Sequence, residues 1–160
     1  MDCTILPALN TLAEQQSSPT KNMEAAITHF LDYAATNPSV IIQYKASNMI
    51  LQIDSDASYL SDPSANIRTG GNYYLSLLPT GPKKYPKLPP PANGPIHTEC
   101  RSLKHVVAST DEAEVGGIFH NGQTGVPLII TLHEIGFNQP PTPIKTDNSA
   151  AEVIVTATVR

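Results

Sequence analysis

The stretch Met49-Ile-Leu-Gln-Ile-Asp-Ser-Asp56 is an apolar run that ends in two acidic residues. A short apolar run bounded by turn-prone residues is typical of a buried strand. Residues 40–44 form a second run of this kind, and the polar residues 45–48 separate the two. The sequence therefore predicts two consecutive strands joined by a turn.

Further helices and strands lie on both sides of this pair. Residues 4–17 and 21–35 have apolar residues at helical spacing, and Thr20 fits the N-cap of the second helix. The order predicts an α+β or α/β domain at 39–160, with a mixed sheet, behind a helical segment at 1–38. After the first two strands the sequence predicts a strand at 72–78, a proline-rich loop at 79–95, a strand at 96–103, a helix at 109–136, a strand at 142–146 and a helix from Asn148.

The helix at 109–136 has clear boundaries. Ser109 and Glu112 fit a capping box, in which the side chain of each residue accepts a hydrogen bond from the backbone N–H of the other. Gly136 is a natural C-cap. Pro127 should kink or split the helix, because proline removes a backbone donor and its ring crowds the preceding turn.

Four glycines weaken the interior of this helix, since each costs about 1 kcal/mol relative to alanine. Gly116 and Gly117 are expected to allow close packing against the sheet. We expect no such role for Gly122 and Gly125, which therefore predict a weakened helix. On the strand at 96–103 the residues alternate, so one set is predicted to face the core and the other to face away: Ile96, Thr98 and Cys100 inward, and His97, Glu99 and Arg101 outward.

Composition excludes several classes of protein. The 160 residues are 40% hydrophobic and 15% charged, which suits one soluble domain. The net charge of −4 is unlike that of a basic nucleic-acid-binding domain, so contact with phosphates would need local basic residues or bound metal ions. Cys3 and Cys100 lack metal-ligand spacing and are expected to be reduced thiols. No run is long enough to span a membrane, and the N-terminus lacks the layout of a signal peptide.

Three acidic residues occupy positions at the ends of elements. Asp56 follows an apolar strand, Glu114 lies in the second turn of the long helix, and Asp147 closes a short strand before a helix. Strand ends and helix starts meet at the open edge of an α/β sheet. Carboxylates gathered there repel one another, and divalent cations with a preference for oxygen ligands relieve that repulsion. The pattern favours Mg²⁺ or Mn²⁺.

Other interpretations of these acids remain open at this point. Asp54 lies two residues before Asp56 on the same strand face, about 6.6 Å away by strand rise. Parity alone therefore does not separate the two. Glu114 could be a surface acid of a capped helix, and Asp147 could be an N-cap.

Several strings in the chain together resemble the ribonuclease H region of copia-type retrotransposon polyproteins. Each is short, but their order and spacing match along nearly the whole chain, and residues 1–50 resemble the connection to reverse transcriptase. The strings are Asp56-Ala-Ser-Tyr-Leu-Ser61, Ile67-Arg-Thr-Gly-Gly-Asn-Tyr-Tyr-Leu75, Ala108-Ser-Thr-Asp-Glu-Ala-Glu114, Val126-Pro-Leu128, Leu132-His-Glu-Ile-Gly136 and Pro141-Thr-Pro-Ile-Lys-Thr-Asp-Asn-Ser-Ala150.

This resemblance implies a ribonuclease H-like fold and a function. Asp56 matches the family's first metal-binding aspartate, which bridges two ions, Glu114 matches the helix glutamate, and Asp147 matches the aspartate after the fourth core strand. The implied reaction is hydrolysis of the RNA strand of an RNA–DNA hybrid by water with two Mg²⁺ or Mn²⁺ ions. The implied partner is the rest of the polyprotein, including reverse transcriptase. The implied location is a cytoplasmic retroelement particle or the nucleus, without a membrane.

The chain also departs from the family pattern. The family's domain continues past the residue equivalent to Arg160, with a fifth strand, a final helix and a fourth metal-binding carboxylate. Glu152 lies only a turn beyond Asp147 and does not replace that carboxylate. The resemblance therefore predicts a C-terminally truncated domain and leaves open whether this chain is an active enzyme.

Two basic residues are candidates for contact with nucleic acid. Arg101, in the strand predicted at 96–103, and Lys104, just after it, are candidates for contact with the hybrid, with a plain surface role as the alternative. The alternative function is a non-catalytic structural or nucleic-acid-binding remnant of the polyprotein. An integrase-type core ranks last, because the gaps between the acids are 58 (114 − 56) and 33 (147 − 114) and the last acid is Asp. A further lysine cluster in the proline-rich loop is expected to be solvated: Lys83, Lys84 and Lys87.

Overall fold

A computed structural model describes residues 3–60, 67–77, 91–104 and 106–157. Its backbone contacts divide the chain into two compact units, Met1–Ile42 and Gln43–Arg160. Within the described residues, no helix combines the length and the apolar character needed to cross a membrane.

The first unit contains two helices that confirm the sequence prediction. A short 3-10 turn, Cys3–Ile5, leads into α1 (Leu6–Glu14), and α2 spans Lys21–Thr36. The Thr20 hydroxyl accepts a hydrogen bond from the Met23 N–H at 3.2 Å, as expected of an N-cap.

The second unit is an α+β domain built on a mixed sheet. Its strand order is β3-β2-β1-β4. β2 pairs antiparallel with both β1 and β3, and β4 pairs parallel with β1. This confirms the predicted α+β class and the predicted meander, long helix and further strand. Its elements are β1 (Ile50–Ser58), β2 (Ile67–Ser76), β3 (Pro95–Leu103), α3 (Thr110–Glu134), β4 (Ile144–Lys145) and α4 (Ser149–Ala157).

The predicted strand at 40–44 is wrong. Residues 37–49 form no strand, and the side chain of Asn93 bonds both the N–H and the carbonyl of Lys45, at 2.7 and 2.9 Å. Both edges of β1 are already paired, with β2 and β4, so a preceding strand has no place beside it. The meander instead starts at β1, which runs through Asp56 to Ser58 rather than ending before it.

The predicted orientation of β3 is also wrong. The Tyr73 hydroxyl donates to Glu99 Oε1 at 2.7 Å and also contacts Asn121 of α3, so Glu99 lies on the face that α3 covers. The ring of His97 lies against that of Tyr73 on the same face, while Ile96 is 42% exposed. A strand near the edge of a sheet can place polar residues under a helix where a buried hydroxyl provides a partner.

Both predicted ends of α3 are confirmed. The Ser109 hydroxyl accepts from the Glu112 N–H at 3.2 Å. At the other end Gly136 has φ +95°, its N–H donates to the His133 carbonyl, and the Phe137 N–H donates to the Leu132 carbonyl. These two bonds form a Schellman motif, in which glycine is favoured because it adopts positive φ without strain.

The predicted split at Pro127 does not occur, because α3 is one helix from Thr110 to Glu134. Pro127 and Gln123, whose carbonyl loses its helical donor, are both exposed on the solvent side of the helix. Water can satisfy that carbonyl, so the proline costs less here than in a buried turn.

Two of the glycines in α3 allow the helix to lie close to the sheet. A Cβ at Gly117 would lie 2.9 Å from the Thr69 hydroxyl, and one at Gly125 would lie 2.7 Å from Ile53 Cδ1. The expectation that Gly125 lacks a packing role is therefore wrong. Gly117, Asn121 and Gly125 recur every fourth residue and form the face of α3 that contacts β1 and β2.

Apolar residues from β1, β2 and α3 form the core between the helix and the sheet. One cluster centres on Leu51, Ile53, Tyr73 and Leu132, all nearly fully buried. A second, smaller cluster lies nearer the start of α3 and contains Ala57, Ile67 and Ala113. This second cluster holds the beginning of α3 against the end of β1.

Candidate metal centre

The three acids singled out in the sequence lie together in the structure. One carboxylate oxygen from each of Asp56, Glu114 and Asp147 lies within 4.8 Å of the others. Asp56 and Asp147 are exposed, whereas Glu114 is only 3% exposed. The cluster thus has a buried base and an open side.

The sheet register brings the two aspartates to the same edge. β4 runs parallel to β1, and Ile144 pairs with Ile53. Asp56 lies three residues after Ile53, and Asp147 lies three residues after Ile144. Because the two strands are parallel, both aspartates lie beyond the same end of the pair. The packing of Ala113 and Gly117 against the end of β1 brings Glu114 to the same place.

Glu114 is held by one hydrogen bond to each neighbouring segment. Its Oε1 accepts from the Ala57 N–H at 3.2 Å, and its Oε2 accepts from the Thr146 hydroxyl at 3.4 Å. Burial raises the pKa of Glu114, the negative charges of Asp56 and Asp147 raise it further, and the Ala57 N–H partly offsets the rise. The structure therefore crowds three acids at a cost that a bound cation would relieve.

The structure separates Asp54 from Asp56. Asp54 accepts a hydrogen bond from the Tyr74 hydroxyl at 3.3 Å and lies 3.8 Å from the Lys145 ammonium. Burial, followed by the charge of Asp54, raises the pKa of Tyr74 to about 12. Asp56, and not Asp54, shares the cluster with Glu114 and Asp147.

The two alternative interpretations of Glu114 and Asp147 are wrong. Glu114 is buried, so it is not a surface acid. Asn148 caps α4, because its Oδ1 accepts from the N–H groups of Ala150 and Ala151 at 2.9 and 3.0 Å. Asp147 is therefore not the N-cap and its carboxylate points into the cluster.

No family model, curated protein or solved structure matches this chain.

The donor set fits a hard divalent cation. Mg²⁺ and Mn²⁺ prefer carboxylate oxygens and keep several water molecules, which the exposed side of this cluster would allow. Asp56, Glu114 and Asp147 are the residues that would hold such an ion. Glu152, on the first turn of α4, is exposed and is not part of the cluster.

The two residues predicted to contact nucleic acid, Arg101 and Lys104, are both exposed. Arg101 forms an ion pair with Glu99 on β3, and half of its side chain is exposed. Lys104 is exposed just after that strand. Burial raises the pKa of Glu99, but hydrogen bonds from Tyr73, Arg101 and Thr124 together outweigh burial and hold that pKa below its usual value. Lys83, Lys84 and Lys87 lie outside the described residues.

Two residues that support the site were missed in the sequence. Thr146 bonds Glu114, and Asn148 caps α4 while its amide bonds Asp111 of α3 at 2.9 Å. An asparagine immediately before a helical pattern is an N-cap signal. Its second bond gives no sequence signal, because Asp111 lies 37 residues away.

Glu114→Gln should raise the melting temperature of the metal-free protein at neutral pH. Two like charges 4.8 Å apart repel by about 1 kcal/mol even at the dielectric constant of water. Glutamine removes that repulsion and the cost of burying a charge. Its carbonyl can still accept from the Ala57 N–H, and its amide can donate to the Thr146 hydroxyl. Thermal denaturation of the two proteins measures the difference.

The gain should depend on pH. Because the pKa of Glu114 is raised on folding, its ionisation opposes folding only as pH rises above the ordinary glutamate value of 4.5. The difference should vanish well below pH 4.5 and be complete above the raised pKa. Mg²⁺ should stabilise the wild type and not the variant. Glu152→Gln, at an exposed acid, should show no gain, and equal gains in both variants would contradict charge crowding.

Proposed function

We propose that the second unit is a ribonuclease H-like domain of a retrotransposon polyprotein that hydrolyses the RNA strand of an RNA–DNA hybrid with Mg²⁺ or Mn²⁺. The observation that carries the proposal is the convergence of Asp56, Glu114 and Asp147 within 4.8 Å. These are the three residues that the family resemblance assigns to the metal site. They lie on β1, on α3 and in the loop between β4 and α4.

The architecture supports the same proposal. The sheet has an antiparallel meander, β1 to β3, then the long helix α3, and β4 returns parallel to β1 on its other side. This order, with the acids on β1, at the start of α3 and after β4, is compatible with a ribonuclease H-like fold. A parallel strand reached through a helix is the ordinary way to bring two strand ends to one edge.

The residues of the cluster have different tasks. Glu114 is buried and bonded to the Ala57 N–H and the Thr146 hydroxyl, so it forms the fixed base of the site. Asp56 and Asp147 are exposed and face the side from which a phosphodiester would approach. Divalent cations bound there would activate a water and stabilise the leaving oxygen of the phosphodiester.

The charge of the protein suggests how the hybrid is held. With a net charge of −4, bulk attraction to phosphate is absent, and bound cations would supply much of it. Arg101 and Lys104 are exposed candidates for further phosphate contacts. Because Arg101 is paired with Glu99, we expect its contribution to be smaller than that of a free arginine.

The test is cleavage of an end-labelled RNA–DNA hybrid by the wild-type chain, with Mg²⁺ or Mn²⁺ and with a chelator. Duplex DNA, duplex RNA and single-stranded RNA serve as competing substrates. We expect metal-dependent cleavage of the RNA strand in the hybrid alone. Asp147→Asn, purified in parallel, should be inactive, which separates the chain's activity from that of a contaminating nuclease.

Other results would point elsewhere. A hybrid that is bound and left intact at every metal concentration would favour a non-catalytic hybrid-binding remnant. Metal-dependent cutting of duplex DNA in place of the hybrid would favour an integrase-type core. Equal activity of the wild type and Asp147→Asn would contradict the proposed site.

A further inference from the structure

The segment that carries Asp147 is tied to α3 on both sides of that residue. On one side, the Thr146 hydroxyl donates to Glu114 at 3.4 Å. On the other side, the Asn148 amide donates to Asp111 at 2.9 Å. Both partners lie in the first two turns of α3, so two tethers flank the exposed aspartate.

Both polar atoms of the Asn148 side chain form hydrogen bonds. Its Oδ1 accepts the N–H groups of Ala150 and Ala151, which caps α4. Its Nδ2 donates to Asp111, which joins the start of α4 to the start of α3. The backbone N–H of Asn148 also donates to the Thr146 hydroxyl at 3.2 Å, so the two tethers are linked to each other.

We propose that Asn148 is a positioning residue that holds Asp147 at the metal site by bonding Asp111; this inference rests on the proposed function. Asp147 is exposed, so its position follows from the backbone that carries it. Asp56 and Glu114 are fixed by the sheet and by α3. Asp147 lies in the loop between β4 and α4. The Asn148–Asp111 hydrogen bond fixes that loop to α3, the helix that carries Glu114.

A cap alone would not require this arrangement. Serine and aspartate cap helices as well as asparagine does. Neither can donate an amide hydrogen to Asp111. Asn148→Ser therefore keeps the cap and loses the tether, without a change in charge. The pair Asp111→Asn with Asn148→Asp exchanges donor and acceptor, keeps the cap and the net charge, and restores the bond in the opposite direction.

The experiment measures Mn²⁺ binding to the full chain by titration calorimetry, together with the melting temperature of the metal-free proteins. We expect Asn148→Ser to weaken Mn²⁺ binding at least about tenfold, as losses next to metal ligands typically do. Its metal-free melting temperature should fall by no more than about 6 °C, the upper end of the effect of one lost hydrogen bond. The double exchange should return the affinity to within about threefold of the wild type. Asn138→Ser, at an exposed asparagine after α3, is the matched control and should bind Mn²⁺ normally.

The outcomes distinguish the inference from the function on which it rests. If the wild type and Asn148→Ser bind Mn²⁺ equally, Asn148 does not position Asp147, while the metal site itself stands. If Asn148→Ser is weakened but the double exchange does not recover, the bond to Asp111 is not the cause and the inference fails. If the wild type binds no Mn²⁺, the proposed function fails and takes this inference with it.

Discussion

Asp56→Asn should lower the rate of hybrid cleavage by at least about a hundredfold, because loss of one charged group from an electrostatic site costs that much. The variant keeps the size of the side chain, removes its charge and replaces one carboxylate oxygen with an amide nitrogen that donates hydrogen bonds. Asp56 is exposed at the end of β1, so the substitution creates no buried defect. The loss should therefore appear in the rate and in metal affinity, and not in folding.

Asp54→Asn is the matched comparison for this prediction. It makes the same chemical change two residues earlier on the same strand. The carboxylate of Asp54 contacts Tyr74 and Lys145 instead of the cluster. Its cleavage rate and Mg²⁺ dependence should stay within a few fold of the wild type. Equal losses in the two variants, or a larger loss in Asp54→Asn, would contradict the assignment of Asp56 as the ligand.

Asn121→Leu should destabilise the second unit by roughly 3–5 kcal/mol, since it leaves the Ser55 hydroxyl and the Gly70 carbonyl without the amide that bonds them, and each such buried group costs about 1–3 kcal/mol. Asn121 is completely buried between α3 and the sheet. Its amide donates to the Ser55 hydroxyl at 2.8 Å and to the Gly70 carbonyl at 2.9 Å, and its Oδ1 lies 3.1 Å from the Tyr73 hydroxyl. Leucine has a similar volume and replaces none of these bonds.

Urea unfolding followed by circular dichroism measures this loss. Gln123→Leu makes a comparable polar-to-apolar change two residues along the same helix, at an exposed position, and should alter stability by less than about 0.5 kcal/mol. A loss below about 1 kcal/mol for Asn121→Leu would show that water or rearrangement satisfies the network. In that case Asn121 would not be what fastens α3 to the sheet.

The sequence by itself determined the local features of this protein. Thr20, the pair Ser109 and Glu112, and Gly136 each mark a helix end, and each was predicted correctly. Their hydrogen bonds join residues only three to five positions apart, so the signal and its partner occur in one short stretch. The apolar run before Asp54 likewise indicated β1, and three strand and helix ends indicated where to look for acids.

Only the tertiary structure decided which partner each segment meets. Residues 40–44 have the composition of a strand, but the edges of β1 are taken by segments from elsewhere in the chain. The prediction of which face of β3 points inward was wrong because Glu99 bonds Tyr73, a residue on another strand. The prediction that Gly125 has no packing role was wrong because the side chain that needs the space is Ile53, which lies 72 positions away (125 − 53).

The candidate site follows the same division. The sequence supplied Asp56, Glu114 and Asp147 as candidates. Only the family resemblance favoured Asp56 over Asp54, because side chains two apart on a strand share a face. In the structure, Asp54 contacts Tyr74 and Lys145, whereas Asp56 lies beside Glu114. Spacing along the chain determines which residues share a face, but which faces meet depends on packing between distant segments, and that is what brings the three carboxylates together.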